Sequence, residues 1–240
     1  MTVADTAAPH GGEGLDAQLD LEGYAVLAQV LDDAQVRALT ALCDAAGATQ
    51  RVPLARRDLG QGELVFAAQD LPPFVAALQA RCYEQLAPVA NRWNAAAGRP
   101  HRHPATLNAF LDRQREQAWP GAASHFSVLR AGDYQALHQG GGGAQDFALQ
   151  LVLLLGEPGE DFRGGEFVRT EQRPRMQSRP IVLPLRRGTV AVIAVGQRPH
   201  AGAKGHCPVH LRHAIGRVLS GRRVGLELFF EDAKPGARGV

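Results

Sequence analysis

The feature that most constrains the fold is a series of eight short, strand-like segments that occupies the chain from His125 onward. Residues that favour turns separate them, in stretches such as EPGEDFRGG, GQRPHAG and LSGRR. The spacing leaves no room for helices between parallel strands, so the series favours a barrel or a double-sheet jelly roll. The predicted strands are His125–Arg130, Tyr134–Gln139, Phe147–Gly156, Glu166–Gln172, Ile181–Leu185, Thr189–Val195, Val209–Val218 and Arg223–Asp232.

The part of the chain before this series shows mostly helical periodicity. A short strand is predicted within Gly23–Leu31, after which Asp32 or Asp33 is a suitable N-cap for the helix AQVRALTALCDAA. Further helices are predicted from about Pro73 to Ala97 and around Thr106 to Glu116. The fold class is therefore α+β, with N-terminal helices packed on a jelly-roll core.

This organisation divides one compact domain into four parts. A disordered tail is expected over residues 1–20 and a helical part over residues 21–124. The jelly-roll core is expected over residues 125–233, followed by a second tail over residues 234–240.

Composition excludes several classes of protein. Hydrophobic residues make up 45% and charged residues 21% of the 240 residues, as in ordinary globular domains. The longest candidate for an apolar run, Leu149–Leu155, is far shorter than the ~20 residues of a membrane span. The first residues do not resemble a secretion signal, and three widely spaced cysteines do not form a disulfide framework, so a cytoplasmic protein is expected. A net charge of +2 is too mild to indicate a nucleic-acid partner.

Two histidines and an arginine carry the main chemical signal. His138 ends a predicted strand, His213 lies on a later one, and Arg223 follows ten residues after His213, across a tight turn. Two imidazoles on facing strands can bind one metal ion, and a guanidinium in the same barrel mouth can hold the far carboxylate of a dicarboxylate. From spacing alone, a histidine on a strand is more often packed or exposed than a ligand, and that alternative stays open.

Six stretches of the chain resemble the iron(II)/2-oxoglutarate-dependent oxygenase superfamily, and a little-characterised bacterial branch of it most closely. The resemblance extends from about Leu21 to Ala233. It implies a double-stranded β-helix, the cupin-like form of the jelly roll. The matching stretches are ANRWN (Ala90–Asn94), GDYQALHQ (Gly132–Gln139), DFRGGEF (Asp161–Phe167), EQRPRMQSR (Glu171–Arg179), LRHAIGRVLSGRR (Leu211–Arg223) and LFFEDA (Leu228–Ala233).

The resemblance implies roles for four residues. His138 corresponds to the first metal ligand and His213 to the last, and Arg223 corresponds to the basic residue that pairs with 2-oxoglutarate. Tyr134 could add a hydroxyl to the same carboxylate, or it could be a core aromatic residue. The implied cofactors are Fe(II) and 2-oxoglutarate, with dioxygen and a small-molecule substrate as reactants.

The sequence departs from the superfamily pattern at the second metal ligand. A carboxylate is expected two residues after His138, but the sequence there is HQGGGGAQDF, with Gly140 in its place. Three outcomes are open: chloride occupies the position, as in the halogenases of the superfamily; water or a surrogate carboxylate from Asp146 or Glu166 occupies it in a hydroxylase; or the protein is an inactive jelly roll that only binds a ligand. Halogenation would make Gly140 a catalytic position.

The other histidines are interpreted as structural or exposed. His101 and His103 flank an arginine in HRHP and are expected at the surface. His125 could line the barrel mouth, although exposure to solvent is the preferred expectation. Strand alternation places His210 outside the barrel if His213 is inside.

The segment EQRPRMQSRP carries three arginines, Arg173, Arg175 and Arg179. They could form a lip that binds an anionic substrate, but a solvated loop is the preferred interpretation.

Overall fold

The computed structural model describes residues 14–27, 29–47, 50–66, 71–117, 122–140, 147–202 and 205–231. Within these residues the helices are α1 (Leu15–Glu22), α2 (Asp33–Ala45), α3 (Pro73–Ala96) and α4 (Leu107–Glu116), with a 3-10 turn at Leu54–Arg57. The strands are β1 (Tyr24–Leu27), β2 (Arg51–Pro53), β3 (Gly60–Gln61), β4 (Glu63–Val65), β5 (His125–Arg130), β6 (Tyr134–His138), β7 (Leu149–Leu154), β8 (Phe162–Gly164), β9 (Phe167–Gln172), β10 (Arg179–Leu183), β11 (Val190–Ala194), β12 (Gln197–Gly202), β13 (Gly205–Ile215) and β14 (Val218–Leu228).

These strands form two antiparallel sheets. The larger sheet has the order β1-β11-β7-β14-β5-β4-β2, with β8 paired to β14. The smaller sheet has the order β10-β9-β13-β6-β3, with β12 paired to β13. Apolar residues of both sheets, such as Val152 and Ile215, belong to one buried cluster, so the two sheets pack face to face. The α+β fold with a jelly-roll core is confirmed.

The larger sheet is buried on both of its faces. Its second face packs against residues of α2 and α3, including Leu39 and Leu86. Every residue of β7 and of β11 is therefore buried, which explains why these strands, apart from Gln150, have apolar rather than alternating sequences.

Helix α2 begins where its sequence predicts. The Asp32 side chain accepts a hydrogen bond from the Gln35 backbone at 2.8 Å, and the Gln35 side chain accepts one from the Asp32 backbone at 3.0 Å. This reciprocal capping box satisfies two backbone donors at the first turn. Val36, Leu39 and Cys43 form the buried face of the helix.

Part of the expected N-terminal tail is ordered. Residues 15–20, expected in the tail, belong to helix α1, and the C-terminal carbonyls of this helix accept hydrogen bonds from two buried arginines. Arg198 donates to the carbonyls of Asp20 and Leu21, and Arg169 donates to that of Glu22, at 2.6–3.0 Å. The expectation was wrong here because these anchoring residues are far away in the sequence. Residues 1–13 and the expected C-terminal tail, 234–240, lie outside the described residues.

The remaining differences concern short strands. The part expected to be helical, residues 21–124, also contains β1 to β4; only β1 was predicted, because two or three residues cannot show periodicity. All eight strands predicted beyond residue 124 are present, His125–Arg130 with the predicted bounds and the others with shifted ends. The structure adds β8 and β12 in segments interpreted as turns. None of the helices within the described residues is long and apolar enough to cross a membrane.

Candidate active site

His138 and His213 lie directly opposite each other on the paired strands β6 and β13. Their ring centroids are 4.2 Å apart, and both side chains are buried. A β-bulge follows in the pairing, because Ile215 faces Gln135 rather than Ala136. The extra residue turns Gln135 to the same buried side as His138, and its Nε2 lies 3.4 Å from His138 Nε2.

The hydrogen bonding of His138 leaves one ring nitrogen available as a ligand. His138 Nδ1 lies 2.9 Å from the Ala136 carbonyl oxygen, which can only accept, so Nδ1 carries the proton. Burial, with a smaller contribution from the nearby His213, lowers the pKa of His138 to about 4. At neutral pH the imidazole is therefore uncharged, with a lone pair on Nε2. This is the form of histidine that binds metals.

A carboxylate that the sequence analysis missed completes the centre of the site. Glu227 on β14 is 2% exposed, and its Oε2 lies 3.5 Å from His213 Nε2. Gln150 Nε2 donates a hydrogen bond to the same oxygen at 2.9 Å. The available signal was a single acidic residue within an apolar strand, GLELFF, since buried carboxylates are rare unless they have a partner.

The electrostatic balance at Glu227 favours its charged form. Burial alone would raise the pKa of Glu227. The contact with His213 and attraction to the protonated forms of His213, His125 and His138 oppose burial and hold the pKa of Glu227 well below its ordinary range.

Two histidines expected at the surface are buried. His125 is 1% exposed, its Nδ1 lies 3.0 Å from the Ala123 carbonyl, and its Nε2 lies 4.0 Å from Glu227 Oε1. It is buried because β5 lies inside the larger sheet, between β14 and β4. His103 is also buried, with its ring packed against Phe110 and Phe147. His210 is exposed, as strand alternation predicts.

Arg223 lies two positions before Gly225 on β14 and faces the same side as Glu227. Its Nε donates to the Gly165 carbonyl at 2.8 Å, and its Nη1 has no hydrogen-bond partner in the described part of the chain. A Cβ at Gly225 would lie 2.9 Å from Nη1, so glycine makes room for the guanidinium. Burial lowers the pKa of Arg223 to about 10, which leaves it charged at neutral pH, and Glu227 and Glu166 oppose this effect. Arg223 also lines a cleft of about 510 Å³.

The structure separates the other predicted site residues into two groups. Gly140 is buried, and a Cβ there would lie 3.3 Å from His213 Cε1, so position 140 faces the histidine pair. Tyr134 is 36% exposed and lies beside Gly60, and Glu166 is exposed. Asp146 lies outside the described residues. The role of Tyr134 toward 2-oxoglutarate stays a prediction.

Buried polar atoms without partners indicate that this site is built for a ligand. In native structures such atoms are rare and need an explanation. No group of three or more His, Cys, Asp or Glu side chains meets metal-holding geometry within the described residues. The donors nevertheless suit a divalent metal, because imidazole nitrogens lie beside a carboxylate. We call these residues the polar cluster: His125, Gln135, His138, Gln150, His213, Arg223 and Glu227. Its unpartnered atoms are His125 Nε2, Gln135 Oε1, Gln150 Oε1, His213 Nε2, Arg223 Nη1 and Glu227 Oε1.

Fold and site together define a class of protein, the Fe(II)/2-oxoglutarate oxygenase superfamily with its jelly-roll core. More narrowly, the chain belongs to the Oxygenase-NA family, whose model matches residues 62–233 and which is described as "Oxygenase, catalysing oxidative methylation of damaged DNA". The resemblance seen in the sequence is thus confirmed at the level of the superfamily.

The chain is also similar to individual proteins of known sequence or structure. Two uncharacterised proteins from two strains of Mycobacterium tuberculosis are each 33% identical to the chain over 156 residues, which is 65% of this chain and 67% of theirs. Among solved structures, a prolyl hydroxylase from Trichoplax adhaerens, in complex with a hypoxia inducible factor peptide fragment, has a TM-score of 0.52 at 12% identity and shares the fold. That match covers 90% of this chain and 86% of the hydroxylase. A Pseudomonas putida prolyl-4-hydroxylase has a TM-score of 0.49 at 16% identity, over 89% of this chain and 94% of that protein.

Proposed function

We propose that this protein catalyses the Fe(II)- and 2-oxoglutarate-dependent oxidation of a C–H bond in an organic substrate. The observation that carries the proposal is the buried histidine pair, with ring centroids 4.2 Å apart; His213 contacts Glu227, and on the face of β14 that carries Glu227 lies Arg223, a buried arginine with an unpartnered nitrogen. When bound, the iron would supply the oxidising chemistry, with dioxygen consumed and 2-oxoglutarate converted to succinate and carbon dioxide.

Several residues of the candidate site have defined roles in this proposal. His138 and His213 would bind the metal through their Nε2 atoms. The Ala136 carbonyl holds the proton of His138 on Nδ1 and thereby orients the ring, and stacking on Phe167 at 5.4 Å orients His213. Arg223 would bind the far carboxylate of 2-oxoglutarate, because its charge is buried and its Nη1 is free to donate within the described part of the site.

Halogenation is a second candidate function, and Gly140 is the observation that favours it. The position faces the histidine pair without a carboxylate, and this is the change that lets chloride bind in the halogenases of the superfamily. The buried Glu227 weighs against chloride, because it places a negative charge 3.5 Å from His213 Nε2. We therefore favour oxygenation, by a hydroxylase that uses a surrogate carboxylate.

The substrate class rests on two opposing considerations. The mild net charge of +2 favours a small molecule over a nucleic acid. The description of the family names damaged DNA, so a methylated oligonucleotide is the first alternative substrate to test. We propose a small molecule; oxidation of the oligonucleotide would replace that part of the proposal.

The experiment measures succinate formation and the visible charge-transfer band of the Fe(II)–2-oxoglutarate chelate, with protein loaded under anaerobic conditions. Wild type should form the chelate and release succinate slowly without substrate. His138→Ala should do neither, whereas His210→Ala, which removes an exposed histidine, should match wild type.

Two results would change the conclusion. A chelate that forms only with chloride present would favour the halogenase. Absence of both the chelate and succinate in wild type would leave an inactive jelly roll that binds a ligand.

A further inference from the structure

We infer that Glu227 supplies the carboxylate ligand that position 140 lacks, so that His138, His213 and Glu227 together bind the metal. This inference rests on the proposed function, and it adds a ligand that comes from the opposite sheet. His138 and His213 belong to the smaller sheet, and Glu227 belongs to β14 of the larger sheet.

One donor distance is close to that expected around a shared ion. Two donor atoms that bind one first-row metal at about 2.1 Å and at a right angle to each other lie about 3 Å apart. Glu227 Oε2 is 3.5 Å from His213 Nε2, and the ring centroids of His213 and His138 are 4.2 Å apart. These side chains do not meet metal-holding geometry as they lie in the described part of the chain, so binding one ion requires them to rotate toward it.

Glu227 is also the type of donor that a metal site needs. Its carboxylate is almost fully buried, and a buried carboxylate is rare unless it has a partner. Its side-chain contacts within the described residues are with His213, His125 and Gln150, and no lysine or arginine of that part of the chain lies within ion-pairing distance. A divalent ion held by two neutral imidazoles and one carboxylate would provide that partner, and this donor set is the one that non-haem Fe(II) sites use.

Gln150 connects the missing carboxylate to its proposed replacement. Its Oε1 lies 3.4 Å from where a Cβ at Gly140 would be, and its Nε2 donates to Glu227 Oε2 at 2.9 Å. The two ends of one amide thus contact the open position and the carboxylate. Glu227 therefore lies near the side of the histidine pair that Gly140 leaves open.

Glu166, one of the two surrogates proposed from the sequence, has weaker support; Asp146 lies outside the described residues. Glu166 is exposed, and no contact of its side chain with His138 or His213 is found within the described residues. Glu227 has both burial and proximity to His213.

The test measures metal affinity without catalysis. Binding of Mn(II) to the metal-free protein is followed by the EPR signal of free Mn(II), and Co(II) absorption reports the ligand set. Glu227→Ala should weaken Mn(II) binding by more than about 100-fold, beyond what loss of an outer-shell partner causes, and should change the Co(II) spectrum. Glu227→Gln provides the same test with nearly unchanged shape, in case the alanine variant does not fold.

Matched variants separate the two proposals. His138→Ala should abolish binding, and Glu166→Gln, which alters an exposed acid, should not change it. In the Glu227→Ala background, Gly140→Asp should restore affinity and the Co(II) spectrum, because position 140 faces the same pair and the vacated space can hold the aspartate.

The outcomes are distinguishable. If His138→Ala loses metal but both Glu227 variants retain wild-type affinity, the inference is wrong and the proposed metal site stands. A loss of less than 100-fold with an unchanged Co(II) spectrum would make Glu227 a positioning residue and also overturn the inference. If His138→Ala binds as wild type does, the proposed function itself fails.

Discussion

Two groups of buried charged residues can be compared within the described part of the chain, and they differ in how far their polar atoms are hydrogen-bonded. The anchoring group comprises Arg169, Glu171 and Arg198, in which Arg198 donates to Glu171 at 2.8 Å and both arginines donate to the end of α1. The polar cluster instead leaves nitrogen atoms of its histidines and of Arg223 without partners.

The difference indicates what each group does. The anchoring group also leaves two nitrogen atoms unpartnered, but each of its guanidiniums makes at least one bond to a helix carbonyl. Its interactions are complete enough to hold α1 on the jelly roll. In the polar cluster Gln150 donates to Glu227, but six buried polar atoms have no hydrogen-bond partner within the described residues, as expected of residues arranged for a ligand that comes from solution.

The substitution with the largest expected effect disrupts the anchoring group. Arg198→Met removes a buried cation and leaves Glu171 without its main partner, so the free energy of unfolding should fall by about 3–5 kcal/mol. Urea denaturation would measure this loss. Arg212→Met, at an exposed position on β13, should leave stability nearly unchanged, and Mn(II) affinity should be unchanged in both folded variants. A stable Arg198→Met protein would contradict the anchoring role.

His103, a buried histidine outside both groups, should make the free energy of unfolding depend on pH. Burial lowers the pKa of His103 to about 4, with a smaller contribution from His101, whereas the unfolded chain titrates near 6.5. Between these values the unfolded chain binds more protons, so stability should fall as the pH drops, by up to about 3 kcal/mol at pH 4. His103→Gln should flatten this dependence in urea titrations and His210→Gln should not. An equal slope in both variants would exclude His103 as its source.

Removing the arginine of the polar cluster should affect binding more than folding. Arg223→Leu should weaken 2-oxoglutarate binding by about 2 kcal/mol, roughly 30-fold, because a charge-assisted hydrogen bond to the carboxylate is lost. Isothermal titration with Mn(II)-loaded protein would measure it, with the exposed Arg217→Leu as control. Unchanged affinity in the Arg223 variant would remove its proposed role.

The smallest effect is expected at the amide beside Glu227. Gln150→Leu removes the donor that orients this carboxylate, so Mn(II) affinity should fall by about tenfold, as for other outer-shell partners. The same EPR titration would detect the change. A loss as large as that of Glu227→Ala would indicate that Gln150 itself binds the metal.

Local patterns were sufficient for much of the fold. The capping box of α2 and eight of the ten strands described after residue 124 depend on neighbours in the sequence, so they were predictable. Helix α1 was not, because the bonds that hold it come from Arg169 and Arg198, more than a hundred residues away.

The candidate site likewise has features that local sequence predicts and features that depend on distant residues. The sequence by itself determined the strands that carry His138, His213 and Arg223, and the loss of a carboxylate at Gly140, because these depend on local patterns and resemblance. Only the tertiary structure decided that Glu227 faces the histidines. A strand that is buried on both faces has no polar alternation to show which way its side chains point, so the packing of the two sheets decides it.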